Sequence, residues 1–166
     1  WATYERDGAT RDMTELEKAA HLSPTPRYWV AEGEIDRKLD GRWGHGWFLG
    51  WRRIARATDE RTLIATQLPR VALGDSIFVA LTDATGDTAA TLQACLGSFA
   101  LDYIIRQKMG GTNASFYLIE QIPVPVASSL PTMAAMPLGR DLSAWVAAKV
   151  DRLNGWIPHA EARPCK

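Results

Sequence analysis

Apolar residues in the middle of this chain form one alternating pattern and short continuous runs, and both kinds of spacing predict β-strands. In WFLGWRRIARA (47–57) the alternation suits a twisted strand that carries arginines on both faces. TDER (58–61) then predicts a turn, and the β-branched RTLIAT (61–66) predicts a second strand. The two strands therefore form a hairpin, and DSIFVAL (75–81) adds a further apolar strand.

A helical spacing follows in residues 88–108, TAATLQACLGSFALDYIIRQK. One stripe of this segment contains Leu92, Cys95, Leu96, Phe99, Tyr103 and Ile104. Arg106 and Lys108 stabilise a helix C-terminus electrostatically, and the GG that follows ends the helix. The pattern predicts one long helix that packs on the sheet.

Shorter elements flank this core on both sides. The T-x-x-E at 14–17 predicts a capping box on a short helix, and residues 31–39 predict a charged helix. ASFYLIEQIPVPV (114–126) predicts a strand that its prolines end, and LSAWVAAKVDRL (142–153) predicts an amphipathic helix. The prediction is an α+β fold with a twisted, mostly antiparallel sheet, a packed central helix and flanking helices.

The composition is that of one ordinary globular domain. The 166 residues are 46% hydrophobic and 23% charged, with seven tryptophans. No apolar run approaches the roughly 18 residues that a membrane span needs, and no signal peptide is visible. Cys95 and Cys165 are too few for a disulfide framework, which favours a cytoplasmic location. A start at Trp1 rather than methionine favours a piece of a longer protein.

The net charge of +0 conceals a basic concentration. Residues 41–70 contain six basic and two acidic side chains, whereas 71–105 contain four acidic and no basic ones. A focused patch of this kind can bind a polyanion although the total is neutral. Two basic blocks, 51–70 and 106–115, contain the candidate DNA-binding residues. These are Arg52, Arg53, Arg56, Arg61 and Arg70 in the first block and Lys108, Thr112 and Asn113 in the second.

These residue types fit nucleic-acid recognition, but other roles fit too. Arginine suits phosphates and guanine, asparagine suits adenine, and Gly110–Gly111 permits close approach of the main chain. Alternatively, Asp59 and Glu60 tie the hairpin to its arginines through ion pairs, or the arginines form a protein interface. His21, His45 and His159 are scattered without metal-ligand spacing, and nucleophile, zinc and phosphate-loop motifs are missing, so we expect no catalytic or metal site in this chain.

Two segments, taken in their order along the chain, resemble a known family. WFLGWRRIARATDERTLIATQLPR (47–70) and LDYIIRQKMGGTNASFYLIEQIPVP (101–125) are similar to the C-terminal region of adenine-specific DNA methyltransferases. Those are long restriction–modification (type IIG-like) and phage-defence proteins in which a target recognition domain follows the methyltransferase domain. The resemblance covers roughly residues 27–126 and is strongest in I-x-R-A-T-D-E-R-T-x-I and R-Q-K-x-G-G-T-N.

The resemblance implies a module that recognises a double-stranded DNA sequence for a methyltransferase. The family's Gly-rich cofactor turn and N-P-P-Y-type motif do not occur here, so S-adenosylmethionine and the flipped adenine would bind in an upstream domain of the same polypeptide. The loops 40–46 and 82–88 are alternative DNA-reading segments. The implied organisation is an N-terminal helical arm (1–26), a recognition core (27–126), a linker (127–137) and a C-terminal helix with its tail (138–166). The alternative function is a protein-interaction module that docks the methyltransferase domain or a defence partner.

Overall fold

The chain divides after Arg42 into two units, Trp1–Arg42 and Trp43–Lys166. The structure is a computed structural model, and it describes residues 2–20, 22, 24–82, 85–125 and 142–154. The predicted linker at 127–137 and the tail beyond residue 154 lie outside the described residues.

The first unit contains a small hairpin and two helices. Strand β1 (Ala2–Tyr4) pairs antiparallel with β2 (Thr10–Asp12), followed by α1 (Glu15–Ala19) and α2 (Glu32–Leu39). The predicted capping box is confirmed, because the Thr14 hydroxyl accepts the Glu17 N–H and the Glu17 carboxylate accepts the Thr14 N–H at 2.8 Å. The predicted charged helix is confirmed as α2. The three-residue strands were not predicted, since β2 is exposed along its whole length and has no apolar alternation.

The second unit is built on a three-stranded antiparallel sheet. Its strands are β3 (Trp47–Arg52), β4 (Ala65–Pro69) and β5 (Ile77–Ala80), in the order β4-β3-β5. The predicted hairpin pairing is confirmed by the register of Phe48 with Leu68 and of Gly50 with Thr66. β3 is shorter than the predicted 47–57, and the predicted second strand at 61–66 was mostly wrong, because the main chain leaves β3 after Arg52 and runs through a long connection, residues 53–64, before β4 begins at Ala65.

The prediction of one helix over 88–108 was wrong. Two helices, α3 (Gly86–Leu96) and α4 (Phe99–Lys108), meet at an angle of 62°. The hydroxyl of Ser98 caps α4 by accepting the Leu101 N–H at 3.3 Å, so a new helix begins there. The bend turns Phe99 and Tyr103 of the predicted stripe outward, and they are 82% and 64% exposed.

The segment 114–126, predicted as a strand, contains a short helix instead. Helix α5 (Phe116–Ile119) begins at Ser115, whose hydroxyl accepts the Leu118 N–H at 3.4 Å. This cap overrides the β-propensity of FYLI. The predicted C-terminal helix is confirmed as α6 (Leu142–Asn154), and its Ala147 and Val150 pack against Ala90 of α3.

The main core lies between one face of the sheet and helices α3 to α5. Its buried residues are Trp51, Leu63, Leu96, Leu101, Ile105, Ala114, Leu118 and Ile122. Helices and antiparallel strands combined in this way confirm the predicted α+β fold. The likeness to a target recognition domain stays a prediction.

In the part of the chain that the structure describes, no single helix has both the length and the apolar composition of a membrane span. The bent pair α3–α4 meets both conditions only when its two helices are taken together.

Replacing Gly50 by alanine should destabilise the second unit by about 1–3 kcal/mol. A Cβ at this central position would lie 2.9 Å from Leu68 Cδ1 and 3.1 Å from the carbonyl oxygen of Phe78 in the paired strand. Gly110→Ala is the matched control, because a Cβ there meets no atom within 4 Å. Its stability should stay equal or rise by up to about 1 kcal/mol. Urea denaturation followed by tryptophan fluorescence measures both, and equal losses would contradict the prediction.

Candidate nucleic-acid interface

Main-chain hydrogen bonds join the two basic blocks, which are far apart in sequence. The Ala55 N–H donates to the Thr112 carbonyl oxygen at 3.1 Å, and the Ala114 N–H donates to that of Arg53 at 2.7 Å. Ile54 and Asn113 face each other in this bridge. The candidate residues at 53–56 and 108–113 therefore occupy one edge of the second unit, which we call the joined edge (residues 53–56 and 108–114).

A buried carboxylate holds the connection between β3 and β4 in place. The Asp102 side chain is only 6% exposed, and its Oδ1 accepts the N–H groups of Thr62 and Leu63 at 2.8 and 3.0 Å. Its Oδ2 accepts from Nη2 of Arg106 at 3.0 Å, and Nε of Arg61 lies 3.6 Å from Oδ1. Desolvation alone would raise the pKa of Asp102, but these hydrogen bonds and the two guanidinium groups hold its pKa below the usual value.

Arg106 and Arg61 also stabilise the connection, because each donates hydrogen bonds to main-chain carbonyl oxygens. Arg106 donates to the carbonyl oxygens of Ala57 and Glu60, at 2.7 and 3.1 Å. Arg61 donates to the Gly97 carbonyl oxygen at the α3–α4 bend, and its guanidinium carbon lies 4.8 Å from the ring centre of Phe99. Arg61, a predicted DNA-binding residue, thus lies within a network that shapes the fold.

Arg52 closes the base of the connection. Its Nη2 lies 3.1 Å from Oδ2 of Asp59 and donates to the Arg61 carbonyl oxygen at 3.2 Å. The same Asp59 oxygen accepts the Arg56 N–H at 3.1 Å. Asp59 therefore stabilises the turn and forms an ion pair with Arg52. This agrees with the alternative in which acidic residues tie the hairpin to its arginines.

Arg53 and Arg70 differ in their positions. Nη1 of Arg53 lies 3.0 Å from Oδ2 of Asp75, and its guanidinium carbon lies 5.7 Å from the ring centre of Phe78. Arg70 follows β4, and its N–H donates to the Gly46 carbonyl oxygen at 3.0 Å. Because Gly46 precedes β3 whereas the joined edge follows it, Arg70 lies at the other end of the sheet, roughly 20 Å away.

The remaining candidates are exposed on the joined edge. They are Arg56, Lys108, Thr112 and Asn113. Lys108 Nζ lies 3.5 Å from Oε1 of Gln121, a long contact that leaves its charge in solvent. Within the described ranges, the guanidinium of Arg56 has no ion pair or hydrogen bond. The structure thus brings together four of the eight candidates as exposed side chains, with Arg53 beside them.

Gly110 and Gly111 stand in this edge without a structural requirement for glycine. A Cβ at either position meets no atom within 4 Å, and neither has a positive φ. Among the described residues, the N–H groups of residues 110–113 have no hydrogen-bond partner. The fold therefore leaves a stretch of main chain open to a ligand.

The alternative DNA-reading loop 40–46 is exposed at most of its positions but contains one buried residue. Within 40–46, Trp43 is buried, and the ring of His45 lies 4.7 Å from that of Trp43 and 5.1 Å from that of Trp47. The half-buried His45 is thus an aromatic packing residue. The second loop, 82–88, includes residues 83 and 84, which lie outside the described residues.

Sequence reasoning missed an apolar groove on the sheet face opposite the core. Its volume is about 530 Å³, and its lining includes Gly50, Ile54, Ile64, Leu68 and Ile77, as well as Arg52. The signal that could have revealed it is the alternation in β3, which places Gly50 and Arg52 on the face that Trp51 does not share.

The described ranges contain no group of three or more His, Cys, Asp or Glu side chains arranged to hold a metal ion. No protein-family model, no curated protein and no solved structure matches the chain.

Asp102→Asn should lower the free energy of unfolding by about 2–4 kcal/mol. The amide cannot neutralise the two guanidinium groups, and its own NH₂ donors would face the N–H donors that the carboxylate now accepts. Asp59→Asn, at a carboxylate that is 33% exposed, should cost about 1 kcal/mol or less. Urea denaturation of both variants is the measurement. A larger loss for Asp59→Asn would show that Asp102 does not hold the connection.

The acid sensitivity of the same variants checks the sign of the Asp102 pKa shift. Because its pKa is lowered in the folded state, its stabilisation is complete above the unfolded-state value of about 3.9 and is lost as the pH falls through the lower folded value. Below pH 4 the wild type should therefore lose stability more steeply than Asp102→Asn.

Proposed function

We propose that this chain binds double-stranded DNA and contributes sequence recognition to a SAM-dependent adenine-specific DNA methyltransferase or restriction–modification enzyme. The observation that carries the proposal is the pairing of residues 53–55 with 112–114, which makes one exposed surface from the two blocks that resemble the family. The methyltransferase class itself is supported by the resemblance alone.

The joined edge combines the two kinds of contact that DNA recognition uses. Arg56 and Lys108 are exposed cations that suit phosphate oxygens, and Thr112 and Asn113 are exposed polar side chains that suit base edges. Residues 106–115 contain no acidic side chain that would oppose a polyanion. The open main chain at Gly110–Gly111 lets a sugar–phosphate backbone approach more closely than a side chain would allow.

Catalysis belongs elsewhere in this proposal. S-adenosylmethionine and the extruded adenine would be held by a methyltransferase domain of the same polypeptide. The module described here would contribute affinity, register and base discrimination.

A second candidate function is docking of that methyltransferase domain or of another defence protein. The apolar groove beside Arg52 favours it, because Ile54 and Ile64 are 53% and 44% exposed there. The two functions make different demands on salt. DNA binding through phosphates weakens steeply as salt is added, whereas burial of an apolar groove does not.

Arg56→Gln and Lys108→Gln should each weaken binding to duplex DNA and reduce the slope of log K against log salt by about 0.9, the share of one phosphate contact. Lys149→Gln on α6 is the control, since it removes the same charge from an exposed residue that contacts Trp145. Fluorescence anisotropy across a salt series measures all three. If Lys149→Gln weakens binding as much as the two edge variants do, net charge alone explains their effect. If the wild type shows no salt-dependent affinity for DNA, the docking function is favoured.

Gly110→Ala and Gly111→Ala should weaken duplex binding by about tenfold, the effect of one lost contact of roughly 1–2 kcal/mol. Their stability should not fall, because the added Cβ has open space and the φ values are ordinary. Gly33→Ala on α2, in equally open space but outside the joined edge and the alternative loops, should leave binding unchanged. Unaltered affinity in both edge variants would remove the glycine pair from the binding surface.

A further inference from the structure

We infer that Arg53 is a phosphate-binding residue of the joined edge and that the carboxylate of Asp75 competes with DNA phosphate for its guanidinium. The inference rests on the proposed function. It identifies which ion pair in the basic blocks DNA can replace.

The carboxylates paired with these arginines differ in exposure and in their other contacts. The side chain of Asp102 is 6% exposed, that of Asp59 is 33% exposed, and that of Asp75 is 84% exposed. The first two also accept main-chain N–H groups and therefore shape the connection. Among the described residues, the only ion pair or hydrogen bond of the Asp75 carboxylate is its pair with Nη1 of Arg53, at 3.0 Å. Asp75 can release its arginine without removing a main-chain hydrogen bond.

Arg53 stays in position whichever anion it binds. Its N–H donates to the Ser76 carbonyl oxygen at 2.8 Å, and its own carbonyl oxygen accepts the Ala114 N–H at 2.7 Å. The guanidinium lies against the ring of Phe78, 5.7 Å from its centre. The main chain is thus fixed on two sides and the side chain is supported by an aromatic ring, so little conformational freedom remains to be lost on binding.

A phosphate is the better partner for such a guanidinium. Exposed single ion pairs contribute little to stability, because water and salt screen them. A phosphodiester can accept two parallel N–H groups from the guanidinium fork, and it would be held in place by the rest of the joined edge. Binding therefore exchanges carboxylate for phosphate at Arg53 and leaves Asp75 to solvent. This exchange lowers the affinity below what a free arginine would provide.

A double-mutant cycle in the 166-residue chain tests the exchange. The variants are Asp75→Asn, Arg53→Gln and the two combined, with a labelled mixed-sequence duplex as the probe, since phosphate contacts do not depend on sequence. Asp75→Asn should tighten binding about twofold to fivefold, the effect expected from loss of one exposed ion pair. In the Arg53→Gln background the same substitution should have no such effect.

Glu120→Gln is the charge-matched control. It removes one negative charge from an exposed residue at the end of α5, and the Glu120 carboxylate contacts no arginine of either basic block among the described residues. Equal gains for Asp75→Asn and Glu120→Gln, or a gain that persists without Arg53, would overturn the inference while DNA binding itself stood. Wild-type chain and variants that all lack salt-dependent affinity would overturn the proposed function and the inference with it. If thermal denaturation shows that Arg53→Gln is unfolded at the assay temperature, Arg53→Lys replaces it. In that background the gain should shrink, because lysine has the charge but not the fork.

Discussion

The second unit depends on one buried carboxylate, Asp102, which α4 presents to the connection between β3 and β4. A long connection has no ladder of its own and loses considerable conformational entropy when it is ordered. Asp102 offsets this loss by accepting two adjacent main-chain N–H groups, while Arg106, one turn further along the same helix, donates to two carbonyl oxygens of the connection. One helix face therefore satisfies donors and acceptors of the connection at once, and the following β4 is held in register.

This arrangement explains why a neutral chain concentrates arginine in so short a segment. Arg61 and Arg106 neutralise the buried carboxylate, and Arg52 closes the turn through Asp59. An arginine that shapes the connection is thus distinguished from one that is available to a ligand by the exposure of its carboxylate partner. By this criterion Arg53 remains available to a ligand. Arg56 is available as well, because its guanidinium has no carboxylate partner among the described residues, and Lys108, Thr112 and Asn113 of the second block are exposed beside them.

Periodicity was sufficient for elements whose packing is local. The alternation in 47–57 predicted β3, the apolar run in 75–81 predicted β5, T-x-x-E predicted the cap of α1, and the stripe in 142–153 predicted α6. The bend at Gly97–Ser98 could not be predicted in this way, because apolar residues continue on both sides of it and the deciding contact is a serine cap. The Asp102 contacts join residues about 40 positions apart, and a periodicity reports only near neighbours. The candidate site was therefore predicted as a set of residue types, whereas its division into structural and exposed arginines required the fold.

The proposed DNA-binding surface differs from a uniformly basic one in how it would attract a polyanion. At a net charge of +0, long-range attraction is weak, so affinity depends on a few contacts placed by the main chain. The bridge between residues 53–55 and 112–114 positions these contacts. Its two main-chain hydrogen bonds hold the segment that contains Arg53 and Arg56 against the segment that contains Gly110 and Gly111. Movement of either block would separate the exposed cations from Thr112 and Asn113, the side chains proposed to contact base edges. The residues that order the connection therefore also determine which of its charges a ligand can reach.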